Sequence, residues 1–171
     1  MNNWIIQGIG FIGLGFLVLA FQQNNRKKIL FLILAGQIIF LGHFILLGAW
    51  TAVAMNIVGA VRTLIFSYKE QNKWANKPYW PFFFIACFIV FGALTWQGWY
   101  SILPIIAMSI ETIGLWMKNP KFIRIINIFP HPPWFTYNLI MRSLPGIATE
   151  ILIFGSVLVG IWRFDVNKET K

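Results

Sequence analysis

Apolar residues run along the chain in blocks of about 20, the length that spans a bilayer as a helix at 1.5 Å rise per residue. The blocks fall at 4–21, 29–48, 51–68, 79–97, 100–117, 122–142 and 145–163. Each predicts a transmembrane helix, giving seven. The gaps between them read QQNNRKK, GAW, KEQNKWANKP, GW, KNPK and SL, followed by a short polar tail. Basic gaps thus alternate with nearly uncharged ones. The pattern predicts an all-α polytopic membrane protein.

Charge gives these helices a direction. Arg26, Lys27, Lys28, Lys69, Lys73, Lys77, Lys118, Lys121, Arg124, Arg163, Lys168 and Lys171 share one side, leaving Arg142 at the other face and Arg62 inside a span. Cytoplasmic loops carry the excess of Lys and Arg, so the N-terminus is expected outside and the C-terminus in the cytoplasm. No basic residue precedes Arg26, unlike a secretory leader, so the first block reads as a retained helix. Trp4, Trp50, Trp74, Trp80, Trp96, Trp99 and Trp162 stand near the expected ends, as interfacial anchors do.

Composition agrees. With 58% hydrophobic and 11% charged residues, the chain lacks the charge to cover a soluble surface. Its net charge of +9 is spread over short clusters between apolar runs, which argues for membrane orientation and against a nucleic-acid partner. The one cysteine, Cys87, excludes an intramolecular disulfide.

The turn spacing suggests a single membrane domain, 1–171, built as a parallel 3+1+3 repeat. Residues 1–68 form the first triplet, 69–99 a loop and linker helix, 100–164 the second triplet, and 165–171 a cytoplasmic tail. Setting Phe21 opposite Trp116 aligns the basic turns and the tight turns, although only Asn24, Ile33, Phe40 and Ile45 meet their own residue type. The repeat therefore rests on spacing alone.

Polar side chains inside spans usually face the bundle interior or a wet cavity. His43, Asn56, Asn138 and Glu150 lie about six residues from an outer turn, roughly 9 Å down at helical rise. Gln37, Arg62 and His131 lie about twelve residues from such a turn, roughly 18 Å down, with Glu111 near their level. The first four residues are candidates for binding a solute. Arg62 needs a counter-charge at that depth, and Glu111 is expected to pair with it, as a gate or as a static lock between helices. Glu150 has no base at its own level; Arg142 reaches down to it, or Glu150 is protonated, accepting protons in turn or held neutral by hydrogen bonds to Asn138 or Asn56. His43 also reads as a hydrogen-bonding partner of a neighbouring helix, and His131 as satisfying backbone freed by nearby prolines. Pro130, Pro132 and Pro133 are expected to break the sixth span, and Pro104 to bend the fifth. Gly8 and Gly15 share a face of the first span, widened by Gly10 and Gly13, and read as helix packing.

Two histidines without cysteine make an incomplete zinc set, so no metal and no cofactor is expected. No Ser–His–acid set, glycine loop or CxxC is present, so no catalytic residue is expected and an enzyme ranks third among the function classes.

The segments QGIGFIGLGFLVLAFQQNNRKKIL, GHFILLGAWTAVAMNIVGAVRTLIF and PPWFTYNLIMRSLPGIATEILIFGSVLVGIWR resemble the YgjV-type bacterial inner-membrane proteins over nearly the whole chain. That resemblance implies a multi-pass protein of the inner membrane and brings no assigned activity. The 3+1+3 plan is also similar in architecture to the SWEET and PQ-loop sugar transporters. Asn56 matches a substrate-facing Asn of that class, whereas Glu150 or Ile151 stands where a second Asn is expected and FQQNN lacks the Pro-Gln pair. The leading expectation is a transporter of a small polar solute. The alternative is a non-transporting membrane protein whose polar groups knit the bundle and whose basic face meets lipid or a partner. The lipid bilayer is the partner in either case, and the site forms on one chain or between copies in a homo-oligomer.

Overall fold

The computed structural model describes residues 3–166. Lys168 and Lys171, and the rest of the expected tail from 167 onward, lie outside the described residues. Those described are helical, with α1 Asn3–Phe21, α2 Arg26–Leu47, α3 Trp50–Ser67, α4 Trp80–Leu94, α5 Ile102–Trp116, α6 Pro120–Ile126, α7 His131–Ile140 and α8 Leu144–Ile161. A single 3₁₀ turn, Trp99–Ser101, leads into α5, and a π turn, Trp162–Val166, follows α8. Five segments are long and apolar enough to cross a membrane: Trp4–Phe21, Arg26–Leu47, Trp50–Ser67, Trp99–Trp116 and Leu144–Asp165. The fourth expected span is the shorter apolar helix α4, of 15 residues.

Local chemistry sets the helix ends. Asn25 caps α2, its side-chain oxygen accepting from Lys27 N at 2.9 Å and Lys28 N at 3.3 Å. Gly48 ends α2 in the left-handed region at φ 69°, which a glycine adopts without steric cost and which lets two residues, Gly48 and Ala49, reverse the chain. Ser143 starts α8, its hydroxyl accepting from Gly146 N at 3.1 Å.

The sixth expected span, 122–142, is not one helix. It is α6 and α7, separated by turns at residues 127–130. The span is broken beside Pro130, Pro132 and Pro133, as expected of them, and the break falls just before them, so that they start the second helix. Pro130 is the residue before α7, and Pro132 and Pro133 fall in its first turn, where backbone N–H groups have no intrahelical acceptor to lose. Asn127 closes α6, its side-chain amide donating to Ile123 O at 2.7 Å.

Six elements close into a ring in the order α1, α2, α3, α5, α7, α8 and back to α1. Helix α4 packs outside the ring against α3 and α5, and α6 packs between α5 and α8. The glycines of α1 divide unexpectedly. A Cβ on Gly10 would meet Pro145 and His43, and one on Gly13 would meet Phe40, whereas Gly8 and Gly15 face open space. Close packing thus uses Gly10 and Gly13, correcting the expectation for Gly8 and Gly15. Outside, Phe31, Ile38, Phe82, Leu94 and Ile151 are exposed, an apolar surface suited to lipid tails.

Basic residues hold the end of the ring that carries them. Arg26, buried, donates through Nε to Met117 O at 3.1 Å and through Nη2 to Phe66 O at 3.1 Å and Leu115 O at 3.2 Å. It therefore caps α3 and α5 together, satisfying carbonyls that a helix end leaves free. Lys69 Nζ donates to Trp116 O at 2.6 Å and stands 3.4 Å from the Trp116 ring centroid. Arg124 forms a two-bond pair with Asp165, at 3.0 and 2.6 Å.

Two predictions follow from this packing. A Cβ on Gly160 would lie 2.7 Å from the backbone oxygen of Phe21, which a side-chain shift cannot relieve. Gly160→Ala should therefore lower stability in detergent by about 1–3 kcal/mol, while Gly15→Ala leaves it unchanged or slightly raised; equal effects would contradict the α1–α8 contact. The second concerns Lys69. Its burial, with Arg26 and Lys118 close by, pushes the ammonium down from 10.5 to about 8. Above pH 8 the folded chain has released a proton that the unfolded chain still holds, so stability from this group rises with pH until the unfolded value of 10.5 is passed. The thermal midpoint of the parent should climb relative to Lys69→Met between those two values, and a constant difference would overturn the assignment.

Candidate functional site

The ring encloses a cavity of about 80 Å³ to which all six of its elements contribute. Leu17 and Phe21 come from α1, Gln37 and Phe40 from α2, Asn56 from α3 and Glu111 from α5. His131, Trp134 and Asn138 come from α7, and Thr149 and Glu150 from α8. By the measure in which one water needs about 10–15 Å³, this is room for roughly six waters or a solute of similar size.

One wall is anchored by Arg62. Its side chain is wholly buried, and Nη2 donates to Glu111 Oε2 at 2.7 Å. Nη1 donates to Thr112 Oγ1 at 2.8 Å and to Met108 O at 3.2 Å. The Gln37 amide is oriented by its neighbours, its nitrogen donating to Thr63 Oγ1 at 3.0 Å and Gly59 O at 3.2 Å, while its oxygen accepts from Arg62 Nη2 at 3.3 Å. Phe88 of α4 presents its ring 5.5 Å from the guanidinium carbon. Arg62 itself does not line the cavity, whereas Glu111, its partner, does.

The opposite wall holds a second pair. His131 Nδ1 lies 2.7 Å from Glu150 Oε2. Sequence spacing put these residues in different tiers and left Glu150 with Arg142, Asn138 or Asn56. The structure corrects that. Counted from the turn at 142–143, they differ by about four residues, roughly 6 Å of rise, which two side chains bridge across adjacent antiparallel helices. Arg142 is exposed at the end of α7, with φ 54°, and does not reach Glu150.

The remaining candidates divide. Asn56 lines the cavity, its amide nitrogen donating to Ala52 O at 2.9 Å. Asn138 lines it as well, 1% exposed, with its Oδ1 buried and without a protein partner. His43 does not line it. Its Nδ1 meets Ile6 O at 2.9 Å and its Nε2 meets Ser143 Oγ at 3.0 Å, so the ring ties α1 and α2 to the start of α8 and both nitrogens are occupied. His43 is corrected from solute contact to bundle tie. The cavity gains two residues that spacing did not single out for a site, His131 and Thr149. Thr149 Oγ1 and His131 Nε2 are buried without protein partners, like Asn138 Oδ1. The proximity of Thr149 to Glu150 in the chain was the available signal. Among the described residues no three of His, Cys, Asp and Glu converge as metal ligands would.

Comparison with known proteins places this architecture. The chain is 25% identical over 167 residues to the inner membrane protein YgjV of Escherichia coli (strain K12), an alignment covering 94% of this chain and 86% of that protein. No solved structure gives a significant match. Residues 4–168 match the Imp-YgjV family, described as bacterial inner membrane protein. With a match of that extent and helices apolar enough for several membrane crossings, the chain belongs to the Imp-YgjV family and is a multi-pass protein of the bacterial inner membrane.

Proposed function

We propose that the protein moves a small polar solute across the inner membrane through the cavity at the centre of its helix ring. The observation that carries this reading is one polar-lined cavity bounded by every element of the ring, in which His131 Nε2, Asn138 Oδ1 and Thr149 Oγ1 are buried without protein partners. Buried polar atoms are nearly always hydrogen-bonded, and a group of exceptions around one space calls for a polar occupant. Irregular backbone at 127–130 adjoins the same space through Pro130, and discontinuous helices commonly flank transport pathways.

In this reading the chain crosses the membrane seven times, N-terminus out, with α4 as the fourth crossing and α6 plus α7 as the sixth. Exchanging α1, α2 and α3 for α5, α7 and α8 leaves the order of neighbours around the ring unchanged, which supports the 3+1+3 plan. Asn56, Asn138, Thr149 and Glu150 hold the solute. The Arg62–Glu111 pair gates or couples its movement, with no catalytic step required. A second reading, a non-transporting bundle, draws on the satisfied hydrogen bonds of His43 and on the exposed Lys27, Lys28, Lys73 and Lys77, which suit anionic headgroups.

A thermal-shift screen of the purified full chain against sugars, amino acids, nucleosides, organic acids and amines separates the two, followed by flux in liposomes. Transport predicts a stabilising solute that also crosses the bilayer, with both effects lost in Asn56→Ala while its own midpoint stays near the parent. Absence of any stabilising solute, with Asn56→Ala melting well below the parent, would favour the bundle. Glu111→Gln is a separate stability prediction. It leaves the Arg62 guanidinium without its counter-charge and should cost about 3–5 kcal/mol, whereas a loss under 1 kcal/mol would mean the pair is solvated.

A further inference from the structure

Building on the solute-transport reading, we infer that the cavity selects a small organic cation bearing N–H donors, an amine of about the size of ethanolamine. The chain is strongly basic, at +9, yet among the described residues the ionisable groups lining its cavity are Glu111, Glu150 and His131. Arg62 does not line this space and is engaged by Glu111, Thr112 and Met108. Two carboxyl groups thus stand beside one guanidinium, and Glu150 is the one that Arg62 does not engage.

The unpartnered atoms point to the same ligand. In this assignment the imidazole donates from Nδ1 to Glu150, which leaves Nε2 with a lone pair to accept from the ligand. Asn138 Oδ1 is an acceptor, and the Thr149 hydroxyl accepts as readily as it donates. Asn138 and Thr149 are 1% and 3% exposed, so these are built positions inside the ring and not surface polarity. An organic anion brings acceptors of its own to this set, and each hydroxyl of a sugar brings one donor. An ammonium brings up to three donors and a positive charge to set beside the Glu150 carboxyl.

Aromatic residues complete the arrangement. Phe21, Phe40, Phe44 and Trp134 also line the cavity. Ring faces carry negative potential and attract an ammonium within about 6 Å of the ring centroid. The site thus joins a carboxyl group, hydrogen-bond acceptors and aromatic rings in a space suited to only a few non-hydrogen atoms.

The test uses three probes of nearly equal size and different charge: ethanolamine, ethylene glycol and glycolate. Binding is read as the thermal-midpoint shift of the purified full chain, then as flux in proteoliposomes. Ethanolamine should stabilise the parent and enter liposomes, with the other two inert. Thr149→Val keeps the side-chain shape, so its midpoint without probe should match the parent while ethanolamine affinity falls about tenfold. Glu150→Gln should abolish the ethanolamine shift. If ethylene glycol or glycolate binds as well as ethanolamine, the cation assignment falls and solute transport stands. If neither the three probes nor the wider solute screen shifts the midpoint, both fall together. An ethanolamine effect unchanged in Thr149→Val and Glu150→Gln would place binding elsewhere and also overturn the assignment.

Discussion

A guanidinium buried to 0% exposure among apolar helices has few tolerable geometries, and Arg62 meets that demand by engaging four helices. It stands on α3, donates to Glu111, Thr112 and Met108 O on α5 and to the Gln37 oxygen on α2, and lies under Phe88 of α4. No water reaches hydrocarbon to satisfy polar groups, so each donor constrains a neighbour's position. The relative placement of α2, α3, α4 and α5 follows from this side chain more than from any apolar contact. Apolar surfaces give little preference among helix arrangements in lipid, since the tails are equally apolar. Because Glu111 is committed to Arg62, the carboxyl that the ring leaves to His131 and the cavity is Glu150.

The same economy applies at the basic end of the ring. Basic residues whose clustering carries the expected orientation also close the helices: Arg26 caps α3 and α5, Lys69 caps α5, and Arg124 joins α6 to the turn after α8 through Asp165. Three members of the basic clusters thus serve packing, while Lys27, Lys28, Lys73 and Lys77 remain exposed. A change at Arg26 or Lys69 is expected to disturb packing well before it disturbs topology.

Much of this was legible in the amino-acid pattern because hydrophobic length and turn charge are local signals. The bounds of α1, α2, α3, α5 and α8 lie within a few residues of their expected spans. The Arg62–Glu111 contact was also accessible, since one base and one acid at a common depth leave little choice. What failed was depth counting through irregular backbone. Residues 127–130 leave the helix, so the break expected of the prolines is real, with Pro132 and Pro133 at the start of α7, and residues beyond it no longer follow a constant helical rise. The Glu150–His131 pair was hidden for a related reason: tiers drawn in whole turns separated two residues that side-chain length unites. Gly8 and Gly15 show a third limit. Seven-residue spacing shows that two glycines share a face, but which face meets a neighbour depends on the rotation of α1, and that is set by Gly10 against Pro145 and Gly13 against Phe40.

The central claim is that the ring encloses a path open to solute and water. Cysteine accessibility measures this most directly, using Thr149→Cys and, for comparison, Thr63→Cys in a Cys87→Ser background within sealed membrane vesicles. Thr149 lines the cavity, whereas Thr63 is 0% exposed and packed beside Gln37. A small cationic methanethiosulfonate should modify Thr149→Cys rapidly and leave Thr63→Cys untouched. Equal resistance at both positions would mean that the cavity is sealed and its polar groups serve the bundle alone.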